Sequence, residues 1–92
     1  MKNITHSDDR YFKTSNFYTA VYLYAKDCEL INIDKTADPK RVQFVFINNP
    51  EVEILVNIFN FAKDNDPDLQ VNSRSFITAI KNLKTLLYQQ DE

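Results

Sequence analysis

The spacing of apolar residues changes several times along this chain, and each change marks a boundary between predicted elements. Residues 1–9 are polar and aperiodic and read as a mobile tail, with order beginning near Arg10. Tyr11-Phe12-Lys13-Thr14 is aromatic and β-branched, which favours a short strand. Ser15 follows as a candidate N-cap, because its side-chain oxygen can satisfy an open backbone N–H of the next turn. Phe17, Ala20, Val21 and Tyr24 then recur at steps of three and four, which places them on one helical face with Tyr18 and Tyr22 as a flanking stripe. This helix is expected to stop near Lys26 or Asp27, although no glycine marks the stop.

From Glu29 the period becomes two. Ile31 and Ile33 point one way and Asn32 and Asp34 the other, and residues 41–47 repeat the alternation with Val42, Phe44 and Phe46. Two antiparallel strands are predicted, joined by the loop Lys35-Thr36-Ala37-Asp38-Pro39-Lys40 with its turn formers. Asn48 and Asn49 are both good caps, and Pro50 suits the first helical position because its ring presets φ and its missing N–H would have had no partner there. Glu51 lies three residues after Asn48, the spacing of a capping box if Asn48 is the cap. The apolar positions of residues 52–62 cover most of the helix circumference and leave Glu53, Asn57, Asn60 and Asp64 as a polar strip. This helix is therefore expected to be the most buried one. After the loop of residues 64–68, Leu69-Gln70-Val71 suits a helix lead-in or an edge strand. Ser73 is the candidate cap of a last helix running to about Tyr88, with Phe76, Ile80, Leu83 and Leu87 facing inward and Ala79 and Leu86 in support.

This order predicts a single α+β domain over residues 10–90, a small mainly antiparallel sheet of three or four strands with about three helices packed on one face. A chain of 92 residues with 43% apolar and 13% aromatic content can build one core without metals or disulfides.

The opening Tyr11-Phe12-Lys13-Thr14-Ser15 is followed by Phe17, Ala20, Tyr22-Leu23, Ala25-Lys26, Glu29-Leu30 and an Arg41-Val42 strand with Phe44-Val45-Phe46. Together these residues resemble a small bacterial and phage family classed only as a domain of unknown function. The likeness runs from about Tyr11 to Tyr88 and takes in the Pro50-Glu51 step, Leu83-Lys84 and Leu87-Tyr88. Members of that family commonly carry a glycine after the Ala-Lys pair, where this chain has Asp27, so its helix stop must differ. The resemblance supports the fold and implies genes that travel with phages and other mobile elements. It brings no activity, cofactor or catalytic residue.

Charge changes the functional picture more than composition does. Eleven Lys and Arg stand against 13 Asp and Glu, a formal net charge of -2, so a phosphate backbone would have to be held by a local patch. Cys28 is the sole cysteine, which excludes an intramolecular disulfide, fits a reducing compartment and reads as a small buried hydrophobe at a helix end. The first ten residues have no apolar core of a signal peptide, and Glu53, Asn57 and Asn60 interrupt the most apolar window. A cytoplasmic protein without a membrane span is expected, whose sequon at Asn3 meets no glycosylating enzyme.

Candidate chemistry is sparse. Asp64, Asp66 and Asp68 have the opening spacing of a calcium loop, but Leu69 stands where its glycine should be and Ser75 where its closing Glu should be. They read as a solvated acidic loop. His6 is the only histidine and lies in the tail, which removes a His-based triad and a two-histidine zinc site. With zero glycines there is no phosphate-cradling loop. Asp34, Glu51 and Glu53 could approach one another, but no spacing selects them. No catalytic residue, cofactor or metal is expected, and the chain does not read as an enzyme.

The positive signals are basic and aromatic. Arg74, Ile77, Lys81, Lys84 and Tyr88 follow steps of three and four, so Arg74, Lys81, Lys84 and Tyr88 share one side of the last helix, while Lys35, Lys40 and Arg41 cluster on the hairpin. Such a surface would attract phosphate, and Tyr88 could stack on a base. The same residues also describe an ordinary solvated helix face and a charged hairpin that resists edge-to-edge pairing, which the negative net charge favours. Tyr18 and Tyr22 could anchor a protein interface, or cap a small core with their hydroxyls at the water edge. Two functions follow. The first is a non-catalytic protein-interaction module with an accessory or regulatory role in a phage, plasmid or host-defence setting, working on a protein partner or as a homodimer. The alternative is a small nucleic-acid-binding accessory protein that uses the basic patch.

Overall fold

The computed structural model describes residues 10–36 and 40–89; the tail expected over residues 1–9 and the middle of the hairpin loop lie outside them. Three strands, β1 (Tyr11–Thr14), β2 (Leu30–Asp34) and β3 (Gln43–Ile47), combine with three helices, α1 (Phe17–Ala25), α2 (Pro50–Phe61) and α3 (Ser73–Tyr88). The fold is α+β. Instead of a further strand before α3, Pro67–Leu69 forms a short 3-10 turn, started by the Asp66 carboxylate accepting from the Asp68 amide at 2.8 Å.

The sheet order is β1-β3-β2, with β3 antiparallel to both neighbours. β1 and β2 therefore run parallel to each other, and α1 is the crossover that carries the chain past the inserted β3, a split β-α-β arrangement. Register decides which side chains meet. Phe12 and Leu30 flank Phe46 on either side, and Thr14 and Ile33 flank Phe44. These residues line the sheet face that joins the core, where Phe44 and Phe46 are buried together with residues of all three helices.

Ile31 departs from the expected alternation. A bulge between Leu30 and Asn32 gives β2 one extra residue, so Leu30 rather than Ile31 joins Ile33 on the core side. Ile31 is left 43% exposed.

Two caps lie one residue away from the expected positions, and at α2 one of the two candidate asparagines takes the role. The Asn16 side chain, not Ser15, accepts from the amides of Tyr18 at 2.9 Å and Thr19 at 3.1 Å. Asn49, not Asn48, accepts from the Val52 amide at 2.9 Å, so no Asn48–Glu51 capping box starts α2. Asn72, not Ser73, accepts from the Ser75 amide at 3.0 Å. Each asparagine sits in extended backbone with its amide oxygen reaching into the first turn, which is the geometry a cap requires.

The most buried helix is α1, not α2. Residues 19–23 of α1 are all buried, because the helix touches β1, α2 and α3. α2 packs on α1 and the 3-10 turn, and buries only Val52 and Leu55. Its all-round apolar pattern therefore serves two faces, one turned inward and one turned out. α3 buries Ala79 and Leu83 and lays Phe76, Ile80 and Leu87 on the core, whereas Leu86 turns outward.

Candidate functional site

Phe17 opens α1 and packs edge-on against Phe44 of β3, with ring centroids 6.0 Å apart and planes at 61°. This contact brings the start of α1 beside the start of β3. The last turns of α3 close the third side, with Leu87 seated on the core. Between them lies a cleft of about 450 Å³ whose apolar lining is Phe17, Val42, Phe44 and Leu87. Ser15, Lys40, Arg41, Lys84 and Tyr88 supply the rest of its lining. The Arg41 guanidinium donates through Nη2 to the Ser15 hydroxyl at 3.2 Å, which ties the hairpin base to the turn before α1. Tyr88 is 72% exposed, so most of its ring is accessible.

The electrostatics of this cleft differ from those of the chain. Three cations and no carboxylate occur among its described lining residues, in a chain whose formal net charge is -2. A concave wall lined by one sign of charge concentrates counter-ions of the other, so the cleft favours an anion.

The basic patch expected from the sequence is thus divided. Lys40, Arg41, Lys84 and Tyr88 come together. Arg74 lines a separate groove of about 370 Å³ with Tyr24, Asp27, Asn72 and Thr78 at the opposite end of α3. Ten residues of helix separate it from Lys84, roughly 15 Å at the usual helical rise. Lys35 donates from Nζ to the Gln89 carbonyl at 3.2 Å, a cation placed at the negative end of α3. Lys81 is exposed on α3 and lies outside the cleft lining. Ser15 and Phe17, together with the core residues Val42, Phe44 and Leu87, are the lining members that sequence reasoning missed. It assigned them to a cap and to core positions, and only the docking of β3 beside α1 makes Ser15 and Phe17 neighbours of Arg41 and Tyr88.

The two candidate interface tyrosines also part company. Tyr18 is 60% exposed. Tyr22 is not available as a surface anchor: it is 2% exposed, its ring lies 5.0 Å from that of Phe59, and its hydroxyl donates to the Asp68 carbonyl at 3.2 Å. α2 and the 3-10 turn cover the side of α1 that carries it. Burial pushes the Tyr22 phenol above the usual tyrosine range, and the nearby Asp68, Cys28 and Asp66 add to the effect. Burial likewise raises the Cys28 thiol, with Glu51 and Asp27 contributing, so its thiolate is disfavoured and its nucleophilicity low.

Asp64, Asp66 and Asp68 do not gather around a point; Asp66 is engaged in starting the 3-10 turn. Among the described residues no group of three His, Cys, Asp or Glu side chains is placed to hold a metal ion.

A second surface feature was not expected. Ile54 and Phe61 of α2 are 59% and 79% exposed, and with the half-buried Ile58 they follow steps of four and three along one side of the helix.

A family comparison covers nearly the whole of this architecture, matching residues 9–89 from the start of β1 to the end of α3. The chain belongs to the family described as Domain of unknown function (DUF5659). Both the cleft and the outer face of α2 therefore lie within the DUF5659 domain. No curated protein and no solved structure matches this DUF5659 chain. Among its described residues no helix is long and apolar enough to cross a membrane.

Proposed function

We propose that this DUF5659 chain is a non-catalytic protein-interaction module whose partner is a second copy of itself, paired through the outer face of α2. The observation that carries the reading is the exposure of Ile54 and Phe61 on one helix side, at the alternating spacing by which two helices pack along a seam. An antiparallel, two-fold pairing centred between Asn57 and Ile58 sets Ile54 of one protomer against Phe61 of the other. It also brings the acidic first turn of α2, with Glu51 and Glu53, towards Lys63 just beyond the partner's helix. The pairing is isologous, with the same patch serving both protomers.

Magnitudes limit the strength of such a pair. Covering a half-exposed Ile or Phe contributes roughly 1–1.5 kcal/mol. Six such side chains then yield a gain on the order of 6–9 kcal/mol, comparable with the roughly 4–15 kcal/mol lost in restricting two free bodies. Pairing is accordingly reversible and concentration-dependent, as suits an accessory or regulatory role. The bacterial and phage setting implied by the family resemblance, and a single unpaired cysteine, fit such a role in the cytoplasm.

Cysteine trapping tests the geometry. In a Cys28→Ser background, Asn57→Cys lies beside the two-fold and should form a disulfide-linked dimer under mild oxidation, whereas Thr85→Cys on α3 should not. Equal cross-linking of the two variants would contradict the α2 pairing.

A second reading, a nucleic-acid-binding accessory protein, is favoured by one observation, the convergence of Lys40, Arg41, Lys84 and Tyr88 on a single cleft. The separation of Arg74 and Lys35 from that cleft argues for grip at one point rather than along a strand. Affinity for a single-stranded oligonucleotide should then fall with a shallow salt slope, that of about two or three neutralised phosphates. A steep slope of about six or more would contradict it.

A further inference from the structure

We infer that the cleft between the base of the β2–β3 hairpin and the end of α3 is a binding site for one nucleotide unit, a flat base with its attached phosphate. The inference deepens the nucleic-acid reading above and is independent of α2 pairing.

The polar side of the site suits a phosphate. Arg41 spends one donor on the Ser15 hydroxyl at 3.2 Å, which orients the guanidinium and leaves further N–H groups of its planar fork for a ligand. The Ser15 oxygen accepts that bond and keeps its own proton to donate. Lys84 approaches from α3, and Lys40 lines the rim. This donor set exceeds what one carboxylate can use and matches the several oxygens of a phosphate. With zero glycines the chain has no Gly-rich phosphate loop, and the donors that line this cleft are side chains.

The apolar side suits a ring. Phe17 is held edge-on to both Tyr18, at 5.5 Å and 76°, and Phe44, at 6.0 Å and 61°, so its position is fixed by packing. Tyr88, on the last turn of α3 and largely exposed, offers a ring face that a base can cover. A cleft of about 450 Å³ falls in the range of small-molecule sites and admits one nucleotide rather than a folded partner.

Isothermal calorimetry with four probes tests the inference: adenosine monophosphate, adenosine, inorganic phosphate and a short oligothymidylate. Adenosine monophosphate should bind roughly tenfold or more tightly than either adenosine or inorganic phosphate, since each lacks half of the recognised group. Lys84→Ala and Tyr88→Ala should each weaken it by roughly tenfold, with thermal melting unchanged because both side chains are exposed. Ile54→Glu/Phe61→Glu on α2 should bind like the parent. Competition by the oligothymidylate for the same site identifies a strand as the source of the nucleotide; its failure to compete identifies the free nucleotide, upholding the site and removing the nucleic-acid reading. Oligothymidylate binding that ignores Lys84→Ala and Tyr88→Ala, or adenosine monophosphate binding no better than its two parts, overturns the inference.

Discussion

The amide of Cys28 donates to the carbonyl of Leu23 at 3.0 Å, and closing this loop holds the intervening Asp27 in left-handed backbone at φ 69°. The amide of Asp27 in turn donates to the Tyr24 carbonyl at 3.0 Å, completing the paired bonds that end many helices at a glycine. The helix stop that lacks a glycine in sequence is thus the ordinary glycine stop with an aspartate in it. A residue with a Cβ is strained there, although Asp tolerates the region better than most.

Asp27→Gly is therefore expected to stabilise the fold by about 0.5–1 kcal/mol, the relief of backbone strain less the added freedom of the unfolded chain. Asp27→Val should cost more than about 1 kcal/mol, since a β-branched side chain is excluded from this region. Thermal melts followed by circular dichroism read both effects. A lower melting temperature for Asp27→Gly would contradict the assignment.

Asn16, Asn49 and Asn72 each satisfy first-turn amides of a different helix, so substitution of each by Ala is expected to cost about 1 kcal/mol, roughly additively. Ser73→Ala, at the residue next to a true cap, should stay within about 0.5 kcal/mol of the parent. Denaturant unfolding of the variants checks both statements.

Tyr22 couples core packing to pH. Its hydroxyl bond to the Asp68 carbonyl at 3.2 Å contributes about 1 kcal/mol, which Tyr22→Phe should remove at neutral pH. The phenol is raised in the folded state, so the fold favours the protonated form. Its stabilising effect is complete below the ordinary tyrosine value near 10 and is lost as pH climbs towards the folded value. The parent should therefore lose stability in this alkaline window more steeply than Tyr22→Phe, and parallel pH profiles of the two would refute the coupling.

Cys28 packs against the core beside the end of α1, and burial disfavours its thiolate. Alkylation by iodoacetamide should be slow at neutral pH, with a pH midpoint above that of a free thiol, and should speed up on unfolding in urea. Rapid modification of the folded protein at pH 7 would contradict this placement.

Much of the fold was legible because strand and helix periods are distinct. The alternation at Val42, Phe44 and Phe46 and the steps from Phe76 to Leu87 each survive intact. What failed was local and physical. Ser15 and Ser73 have the right side chains for caps, but the neighbouring asparagines occupy the extended backbone that a cap needs. The Ile31/Ile33 alternation broke at a bulge, which adds one residue without changing the composition of the strand. In α2 an apolar circumference predicts burial on all sides, whereas Ile54 and Phe61 face outward.

The cleft shows a different limit. A helical period gives the angle of Arg74, Lys81 and Lys84 around α3 but not the end of the helix that meets the hairpin. Only the packing of α3 against α1, and of Phe17 against Phe44, places Lys84 near Arg41 and leaves Arg74 elsewhere.

Self-pairing through α2 is tested most directly by sedimentation equilibrium over a range of protein concentrations. The weight-average mass of the parent should rise with concentration from that of one chain towards that of two, while Ile54→Glu/Phe61→Glu stays at one chain with its fold intact by circular dichroism. A parent that remains at the mass of one chain up to millimolar concentration, or a double variant that associates as the parent does, would contradict it.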